Sequence, residues 1–345
     1  MKKVLLGMSG GIDSTASAVL LKEKGYDVTG LTFINYNAND DMLDKTKKVC
    51  AKLNINHIIL DITNEFDKEV ISYFIDEYEK GRTPNPCIKC NEKIKFGQIY
   101  EYAIKNGYDY VATGHYALIE TCNDKYFLKS AYDIKKDQTY FLYMINGKQL
   151  EHILFPLGNL VKAQARNICE KYNLLPKKSK ESQEICFIED NYKKFLLQRN
   201  AKNKMGNFVY SNKKIIKKHD GIINYTIGQR KGMNLAIGKP AYVIDINPIN
   251  GDVIIGNNAE LFVNKITASN LKLINDNLPE NKKIYAKIRY GAKKAEVKIT
   301  QYENEIVVIF KNKQRAVTKG QSIVFYTKDY VLGGAIIEKG VMIND

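Results

Sequence analysis

No apolar run approaches the ~18 residues a membrane span requires, so a transmembrane helix is excluded. Cysteine is scarce. Six in 345 residues are too few for a disulfide framework, and a close pair among them points to redox or metal chemistry instead. Tryptophan is absent and histidine occurs four times, so the aromatic surface is left to 23 tyrosines, most of which a core will bury. Met1-Lys2-Lys3 runs straight into Val4-Leu5-Leu6-Gly7, an apolar stretch too short for a signal peptide, and a cytoplasmic protein is expected. At this length two or three domains and a substantial core are affordable.

Acidic residues are in deficit, and unevenly so. Residues 1–200 carry 29 Lys+Arg against 26 Asp+Glu, whereas residues 201–345 carry 24 against 12. A Lys-, Asn-, Ile- and Tyr-rich composition of the kind AT-rich coding produces would act on both parts. The surplus instead sits in the last 145 residues, where a polyphosphate partner such as nucleic acid would call for it.

The first part alternates strands and helices. Strands are expected at 3–7, 28–34, 57–61 and 110–113, and helices at 13–24, 42–53, 65–79 and 91–105. Single helices between strands imply a parallel sheet covered on both faces, with its binding crevice at the carboxyl ends of the strands. From about residue 201 short alternating runs take over, at 241–246, 285–289, 295–300, 306–310 and 322–326. Asn250-Gly251 and Lys319-Gly320 supply turns between them. A small β-rich domain over 201–260 and a β-barrel over 261–345 should therefore follow an α/β domain over 1–200. The polar stretch 177–184 is expected to be a mobile loop.

Between the first strand and first helix stands Ser9-Gly10-Gly11-Ile12-Asp13-Ser14. Two glycines let the backbone turn its N–H groups toward an anion, and the helix dipole adds to the attraction. Ser9 and Ser14 offer hydroxyls to phosphate, and Asp13 is placed to hold Mg²⁺. This Ser-Gly-Gly-x-Asp-Ser resembles the loop of the PP-loop ATP pyrophosphatases. No Gly-Lys-Ser/Thr follows, so the resemblance implies adenylation of an oxygen, with release of pyrophosphate, rather than γ-phosphoryl transfer.

Thr83-Pro84-Asn85-Pro86-Cys87-Ile88-Lys89-Cys90-Asn91 carries the close cysteine pair. Two prolines stiffen the segment, and Cys90 is expected at a helix start, where the helix N-terminus would lower its thiol pKa. Cys186 stands far along the chain beside the polar stretch. Cys50, Cys122 and Cys169 read as small core residues. His115 follows Gly114 at a strand end, on the crevice side. His57, His152 and His219 show no partner pattern.

These segments resemble the tRNA-specific 2-thiouridylases, over essentially the whole chain. The likeness takes in 7–14, 83–96, Ala112-Thr113-Gly114-His115-Tyr116, 136–142, 185–188, Tyr225-Thr226-Ile227-Gly228-Gln229-Arg230-Lys231-Gly232, 287–290 and Gly320-Gln321, all in one order. The resemblance implies an ATP-dependent exchange of oxygen for sulfur on the wobble uridine of tRNA. Gly7, Met8, Ser9, Gly10, Gly11, Ile12, Asp13, Ser14, Phe33 and Gly114 would bind ATP with Mg²⁺. Cys90 would be the nucleophile and Cys186 the persulfide carrier. Asn85, Pro86 and Cys87 would meet the target base. His115, Lys136, Asp137, Gln138, Arg289, Tyr290 and Gln321 would contact tRNA. It further implies a sulfur-donor protein or hydrosulfide as partner, no membrane, and a monomer.

One position departs from the family: Cys87 replaces its usual Asp. Cys87, Cys90 and Cys186 could then hold three irons of a [4Fe–4S] cluster and leave the fourth open for hydrosulfide. Alternatively Cys87 is a bystander to a two-cysteine persulfide relay. Two other classes stay in view: a PP-loop amide-forming synthetase acting on a small molecule, and a non-catalytic RNA-binding or iron–sulfur carrier protein.

Overall fold

A computed structural model describes residues 1–35, 40–174, 185–188, 190–280, 282–303 and 305–343. The stretch 177–184, expected as a loop, lies outside the described residues.

The first strand, Lys3–Gly7 (β1), is followed by Ile12–Glu23 (α1), Asp27–Ile34 (β2), Asp40–Leu53 (α2) and Asn56–Asp61 (β3). A helical run then passes from Thr63–Phe66 (α3), through a π-wound turn at Asp67–Ile71, into Ser72–Glu79 (α4). A second begins at Pro86–Cys90 (α5), is π-wound over Asn91–Gln98, and ends as Ile99–Lys105 (α6). Then come Tyr110–Ala112 (β4), the hairpin Leu118–Cys122 (β5) and Lys125–Lys129 (β6), Gly147–Leu150 (α7), Ile153–Leu154 (β7), Lys162–Lys171 (α8) and Tyr192–Gln198 (α9).

β3, β2, β1, β4 and β7 form one parallel sheet in that order. β1 explains why. Its Val4, Leu5 and Leu6 are fully buried, Leu5 against the face carrying Phe66 and Phe74, Val4 and Leu6 against the face carrying α1. A run apolar on both sides is satisfied only in the middle of a covered sheet. The chain winds outward from β1 to β3, then returns to β4 on the other side. The topological switch point therefore lies at the carboxyl ends of β1 and β4, where such sheets bind ligands.

Gly206–Tyr210 (β8), Ile215–His219 (β9), Tyr242–Ile246 (β10) and Val253–Gly256 (β11) make a small sheet of order β10-β11-β8-β9. The last part is a six-stranded barrel: Phe262–Leu273 (β12), Ile284–Lys287 (β13), Ala295–Gln301 (β14), Ile306–Arg315 (β15), Ser322–Thr327 (β16) and Tyr330–Val341 (β17), closed by β12 on β17. β5 and β6, from the first half of the chain, extend this sheet through the pair Lys129–Tyr330. That hairpin leaves Cys122 exposed beside its Asn123-Asp124 turn, so the expectation of a core residue fails there, while Cys50 and Cys169 are buried.

The barrel is tied to the sheet domain by side chains. Arg82 pairs with Glu77 at 2.6 Å and with Glu338 on β17. Tyr140 Oη donates to the Ser322 carbonyl at 2.8 Å, and Tyr143 Oη meets Ser322 Oγ at 3.0 Å.

Candidate active site

The loop 9–14 leaves β1 at the switch point and caps α1. Gly10 sits at φ +67°, and Gly11 precedes the helix with no side chain capping it, so the first-turn N–H groups remain available to an anion. Ser14 Oγ donates to the Gly11 carbonyl (3.1 Å) and accepts from the Ser9 amide (3.2 Å), which holds the loop open. Gly114, at the end of β4, packs so closely that an added Cβ would lie 3.0 Å from Asp13 Cβ and from Ser14 N. Gly7 ends β1 and Phe33 stands one residue before the end of β2 on the same edge, and Met8 is buried, its carbonyl accepting from Thr32 Oγ1 at 3.0 Å.

Asp13 is already engaged. Lys162 Nζ, from the start of α8, donates to both carboxylate oxygens at 2.7 and 2.8 Å, and Tyr116 Oη donates to one of them at 2.9 Å. Lys162 was missed from sequence, because nothing local marks a lysine 149 residues away as the partner of this loop.

The cysteine segment differs from expectation in one respect that matters. Asn85 caps the helix, its Oδ1 accepting from the Ile88 amide (3.4 Å), and Pro86 occupies the first position. The helix therefore starts five residues earlier than the expected 91, and Cys87, not Cys90, stands in its first turn. Cys90 is 8% exposed, and burial pushes its thiol up to about 12, which corrects the expectation of a lowered pKa. Cys87 and Cys186 are exposed at the surface, yet the protein around them also raises their thiols, burial being the largest cause.

Tertiary packing brings the distant Cys186 to this helix. Its neighbour Phe187 is buried against Phe66, Phe74 and Phe195, with ring centroids at 5.7, 5.4 and 5.3 Å, in the same cluster as Cys90 and Ile94. Cys87 and Cys186 each raise the Cys90 thiol by like charge, and the Lys95 ammonium lowers all three. Winding supports this placement: about 4.4 residues per turn through the π-wound stretch brings position 95 back toward the face of Cys90, which 3.6 per turn would not. Lys95 forms no ion pair among the described residues, and although it lies within the segment 83–96 it had been given no role.

His115 links the two halves of the site. It follows Gly114, lies against Phe96 and Phe155 (both 6.1 Å between ring centroids), and is buried and held neutral, with Lys95 adding to that effect. Thr113 Oγ1 bonds its Nδ1 at 2.7 Å. Of the other positions expected to meet RNA, three are turned inward. Asp137 is buried and accepts from the Ala131 amide (3.0 Å) and Thr139 Oγ1 (2.8 Å). Gln138 Oε1 accepts from the Tyr116 amide at 2.9 Å. Gln321 Nε2 donates to the Thr83 and Pro84 carbonyls at 2.8 and 3.2 Å.

Lys136, Arg289 and Tyr290 gather instead at the open seam between domain and barrel. Tyr290 lies over Phe141 (4.6 Å between centroids) with Lys287 Nζ 5.5 Å from its ring, and Lys136 acts on its phenol electrostatically. Lys287, on β13, lies within the segment 287–290 but had been given no role. The remaining histidines bond within the fold: His57 to Thr32 Oγ1 (2.9 Å), His152 to the Asp109 carbonyl (3.1 Å), His219 to the Gly251 carbonyl (2.9 Å).

A phosphate-cradling loop at the switch point of a parallel sheet, with a cysteine helix beside it and a β-barrel against both, defines a nucleotide-using α/β enzyme domain fused to β domains. Three family models match in series: a tRNA methyl transferase HUP domain over residues 2–190, a tRNA methyl transferase PRC-barrel domain over 193–257, and an aminomethyltransferase β-barrel domain over 263–337. A tRNA-specific 2-thiouridylase MnmA 2 of Clostridium botulinum is 46% identical over 346 residues, covering 97% of this chain and 98% of that protein. One from Clostridium tetani is 44% identical, covering 98% and 99%. The chain belongs to the tRNA-specific 2-thiouridylase family.

Proposed function

We propose that this chain is the ATP-dependent enzyme that replaces O2 of the wobble uridine of tRNA with sulfur. The observation that carries the proposal is a run of neighbours: the phosphate loop packs on Gly114, His115 follows it against Phe96, and Lys95, next to Phe96 in sequence, is near enough to act electrostatically on Cys87, Cys90 and Cys186. A nucleotide phosphate and a sulfur nucleophile would thus meet one base in one crevice.

A uracil carbonyl is a poor electrophile with a poor leaving group, so its oxygen needs activation. O2 attacks the α-phosphorus of ATP, pyrophosphate departs, and N3 gives up its proton. The loop 9–14 would hold the phosphates through its free N–H groups. The Asp13 carboxylate, beside that cradle, suits a Mg²⁺ held mainly by the nucleotide. The ion would supply charge neutralisation at the phosphates. The terminal sulfur of a Cys186 persulfide then adds to C2, and AMP leaves with the original oxygen. Cys90 attacks Cys186 Sγ, forming a Cys90–Cys186 disulfide and releasing the thiouridine sulfur, while N3 regains a proton. A dithiol reduces this disulfide, becoming a disulfide itself, and a persulfide donor then transfers its outer sulfur to the freed Cys186 thiolate for the next turnover.

A [4Fe–4S] cluster on Cys87, Cys90 and Cys186 is the alternative raised by the departure at Cys87. Among the described residues no three Cys, His, Asp or Glu side chains are grouped as metal ligands, and no step is routed through a cluster. Anaerobic purification with iron and labile-sulfide analysis, on wild type and Cys87→Ala, tests the choice. No iron, with Cys87→Ala still active on ATP, a persulfide donor and tRNA, supports the relay. About four irons per chain, lost in the variant together with thiolation, would overturn it.

The division of labour would be catalysis in 1–200 and RNA holding by 201–260 and 261–345, where the basic surplus lies. No helix among the described residues is long and apolar enough to cross a membrane, and the cytoplasm is where a tRNA substrate would be met. A small-molecule synthetase would turn over ATP without RNA and would not need Cys90.

A further inference from the structure

Tyr116 is buried, 2% exposed, and it is committed at both ends. Its Oη donates to Asp13 Oδ1 at 2.9 Å, inside the phosphate loop. Its main chain clasps Gln138 from both sides. The Tyr116 amide donates to Gln138 Oε1, and the Gln138 amide donates to the Tyr116 carbonyl, each at 2.9 Å. Gln138 ends a looped segment whose neck Asp137 draws together, accepting from the Ala131 amide at 3.0 Å and from Thr139 Oγ1 at 2.8 Å. Within the loop the chain turns on Asp133, whose carbonyl accepts from the Lys136 amide at 2.9 Å. Its tip leaves Tyr132 and Ile134 70% and 69% exposed, next to the exposed Lys135. An exposed ring and an apolar side chain flanked by cations suit unpaired bases and their phosphates. Lys136 acts electrostatically on Tyr290, so tip and seam make one surface.

We infer that Tyr116 is a positioning residue that ties the phosphate loop to the segment 131–138, so that tRNA held on that segment tightens the hold on ATP. RNA resting on the tip fixes the segment. The clasp on Gln138 passes that order to Tyr116, and the bond from Oη passes it to the Asp13 carboxylate. The nucleotide then has less to order when it binds, which is positive coupling without a large movement. By reciprocity, ATP tightens tRNA binding by the same factor. An adenylating enzyme gains from this, because ATP is held for reaction only when its acceptor base is present. Lys162 reaches the same carboxylate from α8, a separate element, and so serves as the control.

This inference rests on the proposed function for the identity of its two ligands, and its test reads binding rather than turnover. Affinity for Mg²⁺·α,β-methylene-ATP, whose α–β link cannot be cleaved, is measured by calorimetry with and without a saturating unmodified tRNA transcript. In wild type the transcript should raise that affinity about tenfold. Tyr116→Phe removes one hydroxyl and keeps the buried ring and the main-chain clasp. In this variant the transcript should raise the affinity about twofold or less, while melting and tRNA binding without nucleotide stay near wild type. Lys162→Met should weaken the analogue with and without tRNA alike and keep the wild-type ratio. If Tyr116→Phe melts well below wild type, Gln138→Met cuts the clasp at its other end and the same ratio is read. An unchanged ratio in Tyr116→Phe overturns the inference. So does a loss of coupling in Lys162→Met as large as in Tyr116→Phe, which would place the effect in the charge of Asp13 rather than in its tether. A transcript that binds wild type without changing analogue affinity sinks this inference alone, whereas a transcript that does not bind at all sinks the proposed function with it.

Discussion

Lys162 grips Asp13 with both carboxylate oxygens, at 2.7 and 2.8 Å, across the mouth of the phosphate loop. Both side chains are partly exposed, so the pair adds little to stability, on the order of 1 kcal/mol or less. Its place, at the N-terminus of α1 beside the free loop amides, suits a different use: it keeps a lysine and a carboxylate aimed at the polyphosphate.

Asp13→Ala is therefore expected to remove tRNA-dependent pyrophosphate release, and Lys162→Met to lower it by a factor of about 100, the scale of a lost charge contact to a reacting phosphate. Both proteins should melt within a few degrees of wild type. A pyrophosphate-release assay beside a melting curve checks this, and wild-type turnover in either variant would remove the residue from the mechanism.

Cys90→Ser and Cys186→Ser should each abolish thiolation with a defined persulfide source. Thiouridine in the RNA is quantified by mass spectrometry after nuclease digestion. Full activity in either variant contradicts the relay.

The thiol of Cys90, raised to about 12 by burial, should resist alkylation at neutral pH, with a rate still climbing at pH 10. Lys95 opposes that burial, so Lys95→Met should raise all three thiols further and slow their alkylation at a given pH, while Lys95→Arg should restore the rate. The sign carries over to stability. A folded-state pKa above the ordinary 9.0 favours the folded form fully below pH 9, and that contribution is lost as pH rises toward 12. A denaturation series from pH 8 to about 11 in wild type and Cys90→Ala should show the difference between them shrinking with pH.

Binding of tRNA should weaken steeply with salt, as phosphate contacts by the seam and the basic C-terminal part would require. Lys287 lies half-buried over the rings of Tyr140 and Tyr290, with the Asp137 carboxylate acting on it electrostatically. Lys287→Met should reduce the slope of log affinity against log salt by about one. Tyr290→Ala should lower affinity without changing that slope. Filter binding across a salt series distinguishes the two, and an unchanged slope in the lysine variant would take Lys287 out of the interface.

Much of this protein was determined by sequence alone, wherever the controlling interactions are local. Six consecutive residues make the phosphate turn, so Ser9–Ser14 is legible as a unit. An apolar run bounded by helices dictates a buried parallel strand, and β1 to β4 fall within two residues of their expected bounds. The barrel was anticipated as a class, but β12 and β17 were not, because their pairing with distant strands, rather than their own alternation, makes them strands; the β5–β6 hairpin was not anticipated either, although its pairing is local. Tertiary structure alone decided the rest. Burial is a property of everything packed around an atom, so the Cys90 thiol goes up where its place in the chain suggested down. Phe187 brings Cys186 to the helix, Lys162 reaches Asp13 across 149 residues, and Gln321 reaches Thr83 across 238. These are contacts between groups far apart in sequence, and the chain closes them only because burying its apolar faces brings those segments together.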